Sequence, residues 1–301
     1  MNSAYHMPVM LDECLEALAI KPAGIYVDVT FGGGGHSGAL LKRLSGSGRL
    51  YAFDQDPDAA ENVPDDNRLV FIPHNFRFMK NHLRLHGVTA VDGILADLGV
   101  SSHQFDDAKR GFSTRFDALL DMRMDQAGDL NARDVLNAYS EAELHRIFGM
   151  YGEIQNARSL AKTIVTARIE QPIQTVETLK SMIKKLVPRG KEHKYHAQVF
   201  QALRIEVNKE LEALQDFLVQ SAAVLKPGGR LVVMSYHSLE DRMVKNFMAK
   251  GKFKGEVERD FYGNELKPFA VISRKAVTAS PEEIARNSRA RSAKLRIAEK
   301  L

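Results

Sequence analysis

The amino-acid sequence predicts an α/β protein in which a mostly parallel sheet is interrupted by a helical insertion. In the first hundred residues, short β-branched runs bounded by turn residues alternate with amphipathic segments, the pattern of a parallel sheet covered by helices. About 130 residues then separate Asp97 from the turn at Lys226, far more than one crossover between parallel strands needs. Near the C-terminus, alternation of apolar and charged residues predicts a half-buried strand.

The β-branched runs predict five strands. They cover residues 24–29, 49–53, 68–72, 91–96 and 229–234, and a helix over 37–44 connects the first two. The C-terminal alternation spans residues 293–299, and the apolar run at 269–272 is its predicted hairpin partner. The sequence therefore predicts seven strands, of which the last two form an antiparallel pair.

The insertion is predicted to be helical. A capping box at Ser140, a helix that ends before Pro172 and a helix start near Thr175 indicate three helices. A long apolar repeat over residues 197–225 predicts one helix, or two abutting ones, leading back to the sheet. We therefore place the inserted domain at residues 101–194, between sheet segments at 1–100 and 195–301.

The composition is typical of a globular protein with a hydrophobic core. Of the 301 residues, 44% are hydrophobic and 27% are charged. No apolar run approaches the ~18 residues of a membrane span, and Asp12 and Glu13 stand where a signal peptide would be apolar. We therefore expect a cytoplasmic protein with no membrane partner. The single cysteine, Cys14, excludes an internal disulfide and a thiolate zinc cluster, and we predict no metal site.

The net charge of +4 is unevenly distributed. The segment from Arg242 onward contains 15 Lys and Arg but only 7 Asp and Glu, which makes it strongly basic. Such a field attracts polyanions such as nucleic acid, although a solvated basic face without a partner has the same pattern. The basic clusters are Lys184, Lys185, Arg189, Lys191 and Lys194 at the end of the insertion, and Arg286, Arg289, Arg291, Lys294 and Arg296 near the C-terminus.

A glycine run between the first strand and the first helix predicts a ligand site. Backbone amides in residues 32–35 can approach a ligand closely, and the following helix N-terminus favours a negatively charged group. Asp54 ends the second strand, where a carboxylate accepts hydrogen bonds from ribose hydroxyls. These features indicate an adenosine-containing cofactor. They do not separate a dinucleotide from S-adenosylmethionine, because Gly33, Gly35 and Gly38 also satisfy the dinucleotide pattern.

Two features favour S-adenosylmethionine. Asp97 ends the fourth strand, and a Lys-Pro-Gly-Gly turn leads into the fifth strand, with an antiparallel hairpin at the end of the chain. This layout resembles that of class I S-adenosylmethionine methyltransferases, Rossmann-like proteins whose seven-stranded sheet receives its last strand antiparallel. It would be unusual for a dehydrogenase.

Seven sequence blocks make the resemblance more specific. They are His6–Glu13, Thr30–Ser37, Asp97–Ser102, Asp121–Asp125, Phe200–Ile205, His237–Arg242 and Asn287–Ser292. Together they resemble the signature of the bacterial 16S ribosomal RNA cytosine-N4 methyltransferase family, of the RsmH or MraW type, and they follow in order along nearly the whole chain. One departure is the pair Ala118-Leu119, where the family commonly has Gly-Pro.

The resemblance implies transfer of a methyl group from S-adenosylmethionine to the N4 amine of a decoding-centre cytidine in 16S ribosomal RNA, within the small ribosomal subunit. It implies that the inserted domain recognises the substrate, and it leaves a monomer and a homodimer both open. Carried over onto matching positions, the cofactor-binding residues are Gly34, Gly35, His36, Asp54 for the ribose, Phe76 for the adenine, Asp97 and Gln104.

The chemistry indicates two candidate catalytic residues. A sulfonium activates the methyl group, so the protein mainly positions the reactants. The lone pair of the cytosine amine is delocalised, and an acceptor such as Asp97 would favour the pyramidal nitrogen that attacks. His237 could receive the released proton, since histidine titrates near neutrality, or could instead bond to loop backbone.

Three other functions fit parts of the pattern. A methyltransferase of the same fold could act on DNA or on a small molecule, and a binding module could keep the cofactor pocket without turnover. The nucleic acid that takes up labelled methyl groups distinguishes the first alternative from a ribosomal RNA methyltransferase. Any methyl transfer excludes the binding module. A nicotinamide oxidoreductase is the third, and it is excluded if S-adenosylhomocysteine but not NADH raises the melting temperature.

Overall fold

The computed structural model describes residues 8–301, which form two compact units. The first unit comprises the chain up to Gly99 together with Leu211–Leu301, and the second comprises Val100–Glu210. The second boundary lies later than the predicted one after residue 194, because a helix spanning Glu192–Asn208 packs with other helices of the second unit. Two residues of the first sequence block, His6 and Met7, lie outside the described part of the chain.

Within residues 8–301, seven strands form one sheet in the first unit, in the order β3-β2-β1-β4-β5-β7-β6. The strands from β1 to β5 are parallel, and β7 is antiparallel to both β5 and β6. This confirms the predicted α/β fold of the class I methyltransferase type. The strands are β1 Ile25–Asp28, β2 Arg49–Phe53, β3 Leu69–Ile72, β4 Val91–Asp97, β5 Leu225–Ser235, β6 Phe269–Val271 and β7 Lys294–Lys300.

Helices cover both faces of this sheet. The described helices of the first unit are α1 Leu11–Ala17, α2 Gly35–Leu41, α3 Met79–Leu85, α10 Glu210–Val224, α11 Ser238–Lys250 and α12 Pro281–Arg286. Side chains of α3, α10 and α11 form one buried cluster with Phe53, Ile94 and Val233. Side chains of α1 and α2 form a second cluster with Leu50 and Leu95. Because neighbouring residues such as Ile94 and Leu95 point to opposite faces, both faces of the sheet are buried.

Strand β5 begins earlier than predicted. Leu225 pairs with Val91 and Arg230 pairs with Gly93, so residues 226–229 bulge out of the ladder between the two pairs. Gly228 has a φ of 77°, which a residue with a side chain rarely adopts. The Lys-Pro-Gly-Gly turn is therefore present, but as an irregularity inside the strand.

The second unit is helical, as predicted. Ser140 caps α6, α7 ends before Pro172, and Thr175 caps α8. The long apolar repeat forms two helices, α9 and α10, which are separated by Lys209 with a φ of 49°. The described helices of this unit are α4 Ser102–Asp106, α5 Ala132–Ala138, α6 Glu141–Met150, α7 Ala157–Glu170, α8 Val176–Ile183 and α9 Glu192–Asn208.

The segment that departs from the family pattern is tied to the start of α8. Leu119 forms an antiparallel bridge with Thr175, and the Val176 N–H donates to the Ala118 carbonyl at 3.0 Å. Asp117 accepts a further hydrogen bond from the backbone of Glu177 at 3.0 Å. Backbone pairing therefore orders this segment without a Gly-Pro turn. None of the helices within residues 8–301 combines the length and apolar character needed to cross a membrane.

Candidate active site at the carboxyl ends of the strands

The sheet order reverses between β1 and β4, and the predicted site residues lie at this point. In α/β sheets, ligands bind outside the carboxyl ends of the strands where the order reverses. The glycine run follows β1, Asp54 follows β2, Asp97 ends β4, and His237 lies just after β5. The topology thus brings these four segments to one edge of the sheet.

The glycine run forms a tight turn that is partly open. The Gly34 N–H donates to the Phe31 carbonyl at 2.8 Å, and Gly34 has a φ of 74°. A Cβ at Gly34 would lie 2.9 Å from the ring of Phe31, so a larger residue would be strained here. At Gly33, by contrast, no heavy atom lies within 4 Å of the Cβ position. The backbone at Gly33 therefore borders open space that a ligand can enter.

The carboxylate of Asp54 is hydrogen-bonded to this turn. One oxygen accepts the Gly32 N–H at 2.7 Å, and the other accepts the Asp56 N–H at 2.9 Å. Each oxygen keeps a second lone pair. Burial raises the pKa of Asp54 to about 6. The result is an ordered carboxylate that can still accept hydrogen bonds from a pair of hydroxyls.

Asp97 lies at the centre of a second hydrogen-bond network. Its backbone N–H donates to Thr30 Oγ1 at 2.7 Å, and its Oδ1 accepts the Tyr236 hydroxyl at 2.7 Å. Its Oδ2 lies 3.8 Å from His36 Nδ1, and its side chain is 24% exposed. Burial raises the pKa of Asp97 to about 6, although His36 and the Tyr236 hydroxyl oppose this. The network therefore orients the carboxylate and leaves one oxygen accessible.

His36 and Asp28 lie next to this network. The buried ring of His36 contacts the Val9 carbonyl through Nε2 at 3.1 Å, and because a carbonyl only accepts, Nε2 carries the proton. Asp28 accepts hydrogen bonds from Ser37 Oγ at 2.7 Å and from the Thr30 N–H at 3.1 Å. Asp28 therefore links the end of β1 to the start of α2. The sequence pattern indicates no role for Asp28.

Phe76 lies on a short, well-anchored loop after β3. Its half-buried ring packs edge-on against Phe217 of α10, with 5.5 Å between ring centroids. The neighbouring Asn75 side chain donates to Gln55 Oε1 at 2.7 Å, which ties the loop to the residue that follows Asp54. The predicted adenine and ribose contacts are thus carried by segments bonded to each other.

His237 caps helix α11. Its Nδ1 accepts the Glu240 N–H at 3.4 Å, and its Nε2 lies 3.2 Å from Glu240 Oε1. The Glu240 carboxylate in turn accepts the Tyr236 N–H at 3.0 Å. Both ring nitrogens therefore face Glu240.

Gln104 belongs to the second unit. Its buried side chain forms a capping box at the start of α4, accepting the Ser101 N–H at 3.0 Å, and its own N–H donates to Ser101 Oγ at 3.1 Å. Its cofactor contact stays a prediction.

Tyr236 is a site residue that we did not predict, although it stands next to His237 in one of the sequence blocks. Burial and the neighbouring Asp97 raise the pKa of Tyr236 well above its usual value, so the hydroxyl stays protonated and donates. Gly99 lies beside its ring and has a φ of 100°, a backbone conformation that a residue with a side chain rarely adopts. The available signal was a hydroxyl-bearing side chain directly after a parallel strand.

Both basic clusters lie on the surface, with unequal access. In the C-terminal cluster, Lys294 and Arg296 bond to Asp241 at 3.4 and 2.6 Å, and Arg296 is only 11% exposed. Every member of the other cluster is exposed: Lys184, Lys185, Arg189, Lys191 and Lys194. The cluster in the second unit is therefore the more accessible of the two.

Comparison with known proteins identifies the family. Residues 3–301 match the MraW methylase family. A relative from Cytophaga hutchinsonii named "Ribosomal RNA small subunit methyltransferase H" is 59% identical over 298 residues, covering 98% of this chain and 99% of the relative. Relatives of the same name from Flavobacterium johnsoniae and Parabacteroides distasonis are 59% and 54% identical, over 99% and 100% of this chain and 98% and 99% of the relatives. The chain therefore belongs to the MraW methylase family, as the sequence blocks predicted.

Proposed function

We propose that this protein transfers a methyl group from S-adenosylmethionine to the N4 amine of a cytidine in the decoding centre of 16S ribosomal RNA. Membership of the MraW methylase family makes it a methyltransferase of small-subunit ribosomal RNA. The sequence blocks support the choice of the cytidine and of its N4 amine. The single structural observation that carries the chemistry is Asp97, an oriented carboxylate with an accessible oxygen at the end of a central strand.

The residues at the strand ends fit S-adenosylmethionine. Asp54 offers two lone pairs for the ribose hydroxyls, the turn is open at Gly33, and Phe76 offers an apolar face for the adenine. When bound, the cofactor supplies a methyl group already activated by its sulfonium. The residues that we propose to bind it are Gly34, Gly35, His36, Asp54, Phe76, Asp97 and Gln104.

Asp97 is proposed to hold the cytosine amine. Its Oδ2, which Tyr236 does not engage, accepts a hydrogen of the amine and thereby favours the pyramidal nitrogen. The Tyr236 hydroxyl donates to the carboxylate, and the Asp97 backbone N–H donates to Thr30 Oγ1. These two bonds order Asp97 in advance, so little orientational entropy is lost when the substrate enters. Because the pKa of Asp97 is raised only to about 6, the carboxylate is mostly ionised at neutral pH and can accept.

Asp97 is also better placed than His237 to take the proton of the methylated amine. His237 Nδ1 receives the Glu240 N–H, so protonation at Nδ1 would break the cap of α11. We expect His237→Ala to methylate at the wild-type rate in a single turnover. A large loss of that rate, with unchanged binding of S-adenosylhomocysteine, would return the role to His237.

We further propose that the substrate is the assembled small subunit in the cytoplasm and that the second unit recognises it. The exposed cluster between Lys184 and Lys194 supports this, since such cations neutralise phosphates. Whether the enzyme acts as a monomer or a homodimer is read from its sedimentation during turnover.

The test is methyl transfer to three substrates from cells that lack this protein: naked 16S RNA, isolated small subunits and whole ribosomes. Labelled products are digested to nucleosides and separated by mass. We expect N4-methylcytidine from the small subunits, and its loss with Asp97→Ala. Label in DNA only, label on another atom of the base, or no label contradicts the proposed function. An Asp97→Ala variant that lost cofactor binding but kept turnover at saturating cofactor would refute the acceptor role.

A further inference from the structure

A tightly bonded turn in the first unit presents two aromatic rings to solvent. Arg259 and Glu265 pair across an antiparallel bridge, and an oxygen of Asp260 accepts the N–H of Tyr262 at 2.9 Å. At the apex, Phe261 is 97% exposed and Tyr262 is 86% exposed. Their ring centroids lie 5.6 Å apart with the planes nearly perpendicular. We call residues 259–265 the aromatic turn.

The two rings of the aromatic turn contribute little to folding. At this exposure they bury almost no apolar surface, which is what would make such side chains stabilising. Asp260 nevertheless organises the backbone beneath them, accepting also the Asn264 N–H at 2.8 Å and its side-chain amide at 2.9 Å. A backbone that is ordered before a partner arrives loses little entropy on binding. The aromatic turn therefore has the properties of a stacking platform.

An apolar groove adjoins the aromatic turn. It encloses about 580 Å³ beside α11 and β6, within the range of small-ligand sites. Its lining includes Met248, Ala249 and Ala270 together with the cations Lys245, Lys267 and Arg274. Lys267 Nζ lies 2.6 Å from Glu265 Oε2, so the groove meets the aromatic turn at this ion pair. We call it the edge groove.

The charges around the edge groove indicate an anionic partner. Two of its lining cations are already paired with carboxylates, Arg296 with Asp241 and Lys267 with Glu265. The carboxyl group of Leu301, which also lines it, accepts a hydrogen bond from Lys300 at 2.7 Å. Lys245 and Arg274 are exposed, and among residues 8–301 neither has a carboxylate within 4.0 Å. Exposed rings beside unpaired cations suit unpaired nucleotides, whose bases stack on aromatic side chains and whose phosphates bind cations.

We propose that the aromatic turn and the edge groove bind an unpaired segment of the ribosomal RNA substrate. Bases stack on Phe261 and Tyr262, and phosphates bind Lys245 and Arg274. The proposal rests on the proposed function in taking RNA as the substrate. This surface contains none of the residues assigned to the cofactor, so it would be a second RNA-binding surface outside the reaction site.

The first test is RNA binding by the full-length protein with S-adenosylhomocysteine present. Fluorescence anisotropy of a labelled, unstructured RNA oligonucleotide gives the affinity. We expect Phe261→Ala/Tyr262→Ala to weaken binding at least about 30-fold. Lys245→Ala/Arg274→Ala should reduce the slope of log affinity against log salt by about 1.4.

Matched variants separate stacking from general apolar contact. Phe261→Tyr/Tyr262→Phe keeps both rings and should bind RNA as the wild type does. Phe261→Leu/Tyr262→Leu keeps apolar surface without ring faces and should bind as weakly as the double alanine variant. Leu85→Ala, which removes an 81% exposed apolar side chain from α3, is the control for loss of exposed surface.

The second readout is the KM for small subunits during methyl transfer, which should rise at least about 30-fold in the double alanine variant. The proposal is overturned if Phe261→Ala/Tyr262→Ala and Lys245→Ala/Arg274→Ala both leave the RNA affinity and the KM unchanged. Wild-type RNA affinity in the double leucine variant also overturns it, because binding would then need apolar surface but no ring faces. A wild-type protein that binds RNA through these residues but methylates no subunit refutes the proposed function and not this surface.

Discussion

Replacing Tyr236 by Phe removes one hydroxyl from the network around Asp97 and keeps the ring. The hydroxyl donates to Asp97 Oδ1 at 2.7 Å. A hydrogen bond to the ionised form of a carboxyl lowers its pKa, so loss of the hydroxyl raises the pKa of Asp97. The proposed role of Asp97 needs the ionised carboxylate, and activity is therefore lost as the pH falls through its pKa. We expect Tyr236→Phe to move this loss to higher pH.

The structure bounds the size of the effect. A hydrogen bond to a charged group contributes about 1.5–3 kcal/mol, and about 1.4 kcal/mol corresponds to one pKa unit. The lower end applies because the Asp97 side chain is 24% exposed and water partly replaces the lost donor. The acid limb should therefore move from about pH 6 in the wild type, the pKa of Asp97, to about pH 7. At about pH 6.5 the variant should be roughly threefold slower, with little difference above about pH 8.5.

The assay is kcat/KM for methyl transfer to small subunits across this pH range. Tyr195→Phe is the matched control, since it deletes another buried hydroxyl, which donates to Asn156 at 3.0 Å in the second unit. The control should show the wild-type acid limb. An acid limb that stays in place in Tyr236→Phe would mean that the hydroxyl does not tune Asp97. An equal loss of rate at every pH would mean that Tyr236 acts through something other than the ionisation of Asp97.

Three further predictions concern stability and cofactor binding. Asp97→Asn should raise the melting temperature at about pH 8, where the ionised Asp97 carboxylate lowers the free energy of unfolding by about 1–3 kcal/mol. This gain should vanish below about pH 4, where Asp97 is protonated in both the folded and the unfolded protein. Gly34→Ala should cost at least about 1–2 kcal/mol of stability, because Gly34 has a φ of 74°. Gly33→Ala should keep the melting temperature and weaken binding of S-adenosylhomocysteine. Equal melting temperatures for the two variants would contradict this. Asp54→Ala should weaken that binding about 10- to 100-fold by calorimetry, and unchanged affinity would remove Asp54 from the site.

Most of the sheet could be predicted because its signals are local. The run at 49–53 is β2, and the alternation near the C-terminus forms the antiparallel pair of β6 and β7. The early start of β5 was not predictable in this way. Its first residue, Leu225, pairs with Val91, and the intervening turn signal concealed this distant contact. Pairing across such sequence separation is not encoded in the period of either segment.

The boundary of the second unit was misplaced for a similar reason. The apolar repeat from residue 197 to residue 225 continues across Lys209 without a change of period. The pattern shows that both halves bury one face, but not against which partner. In the structure, α9 packs against α5 and α6 of the second unit, while Phe217 and Leu218 of α10 join the core of the first.

The site itself was predictable only to the level of the strand ends. Parallel strands place their carboxyl ends at one edge, so a carboxylate after β2 and another at the end of β4 had to lie at the same edge of the sheet. The contact between Tyr236 and Asp97 joins side chains at the ends of two neighbouring strands. It depends on the direction of both side chains, which a linear pattern does not contain.

The three carboxylates of the site, of Asp28, Asp54 and Asp97, differ in how many hydrogen bonds the protein donates to them. This difference distinguishes the structural carboxylates from the reacting one. Asp28 receives donors from Ser37 and Thr30, and Asp54 receives two backbone N–H groups, one on each oxygen. Among residues 8–301, Asp97 receives one side-chain hydroxyl on Oδ1 and has only a distant His36 near Oδ2. Burying a carboxylate is costly unless donors compensate, so an incompletely bonded one persists where an outside donor completes it. The amine of the target base is such a donor, which is why the least satisfied carboxylate is the one to which we assign the reaction.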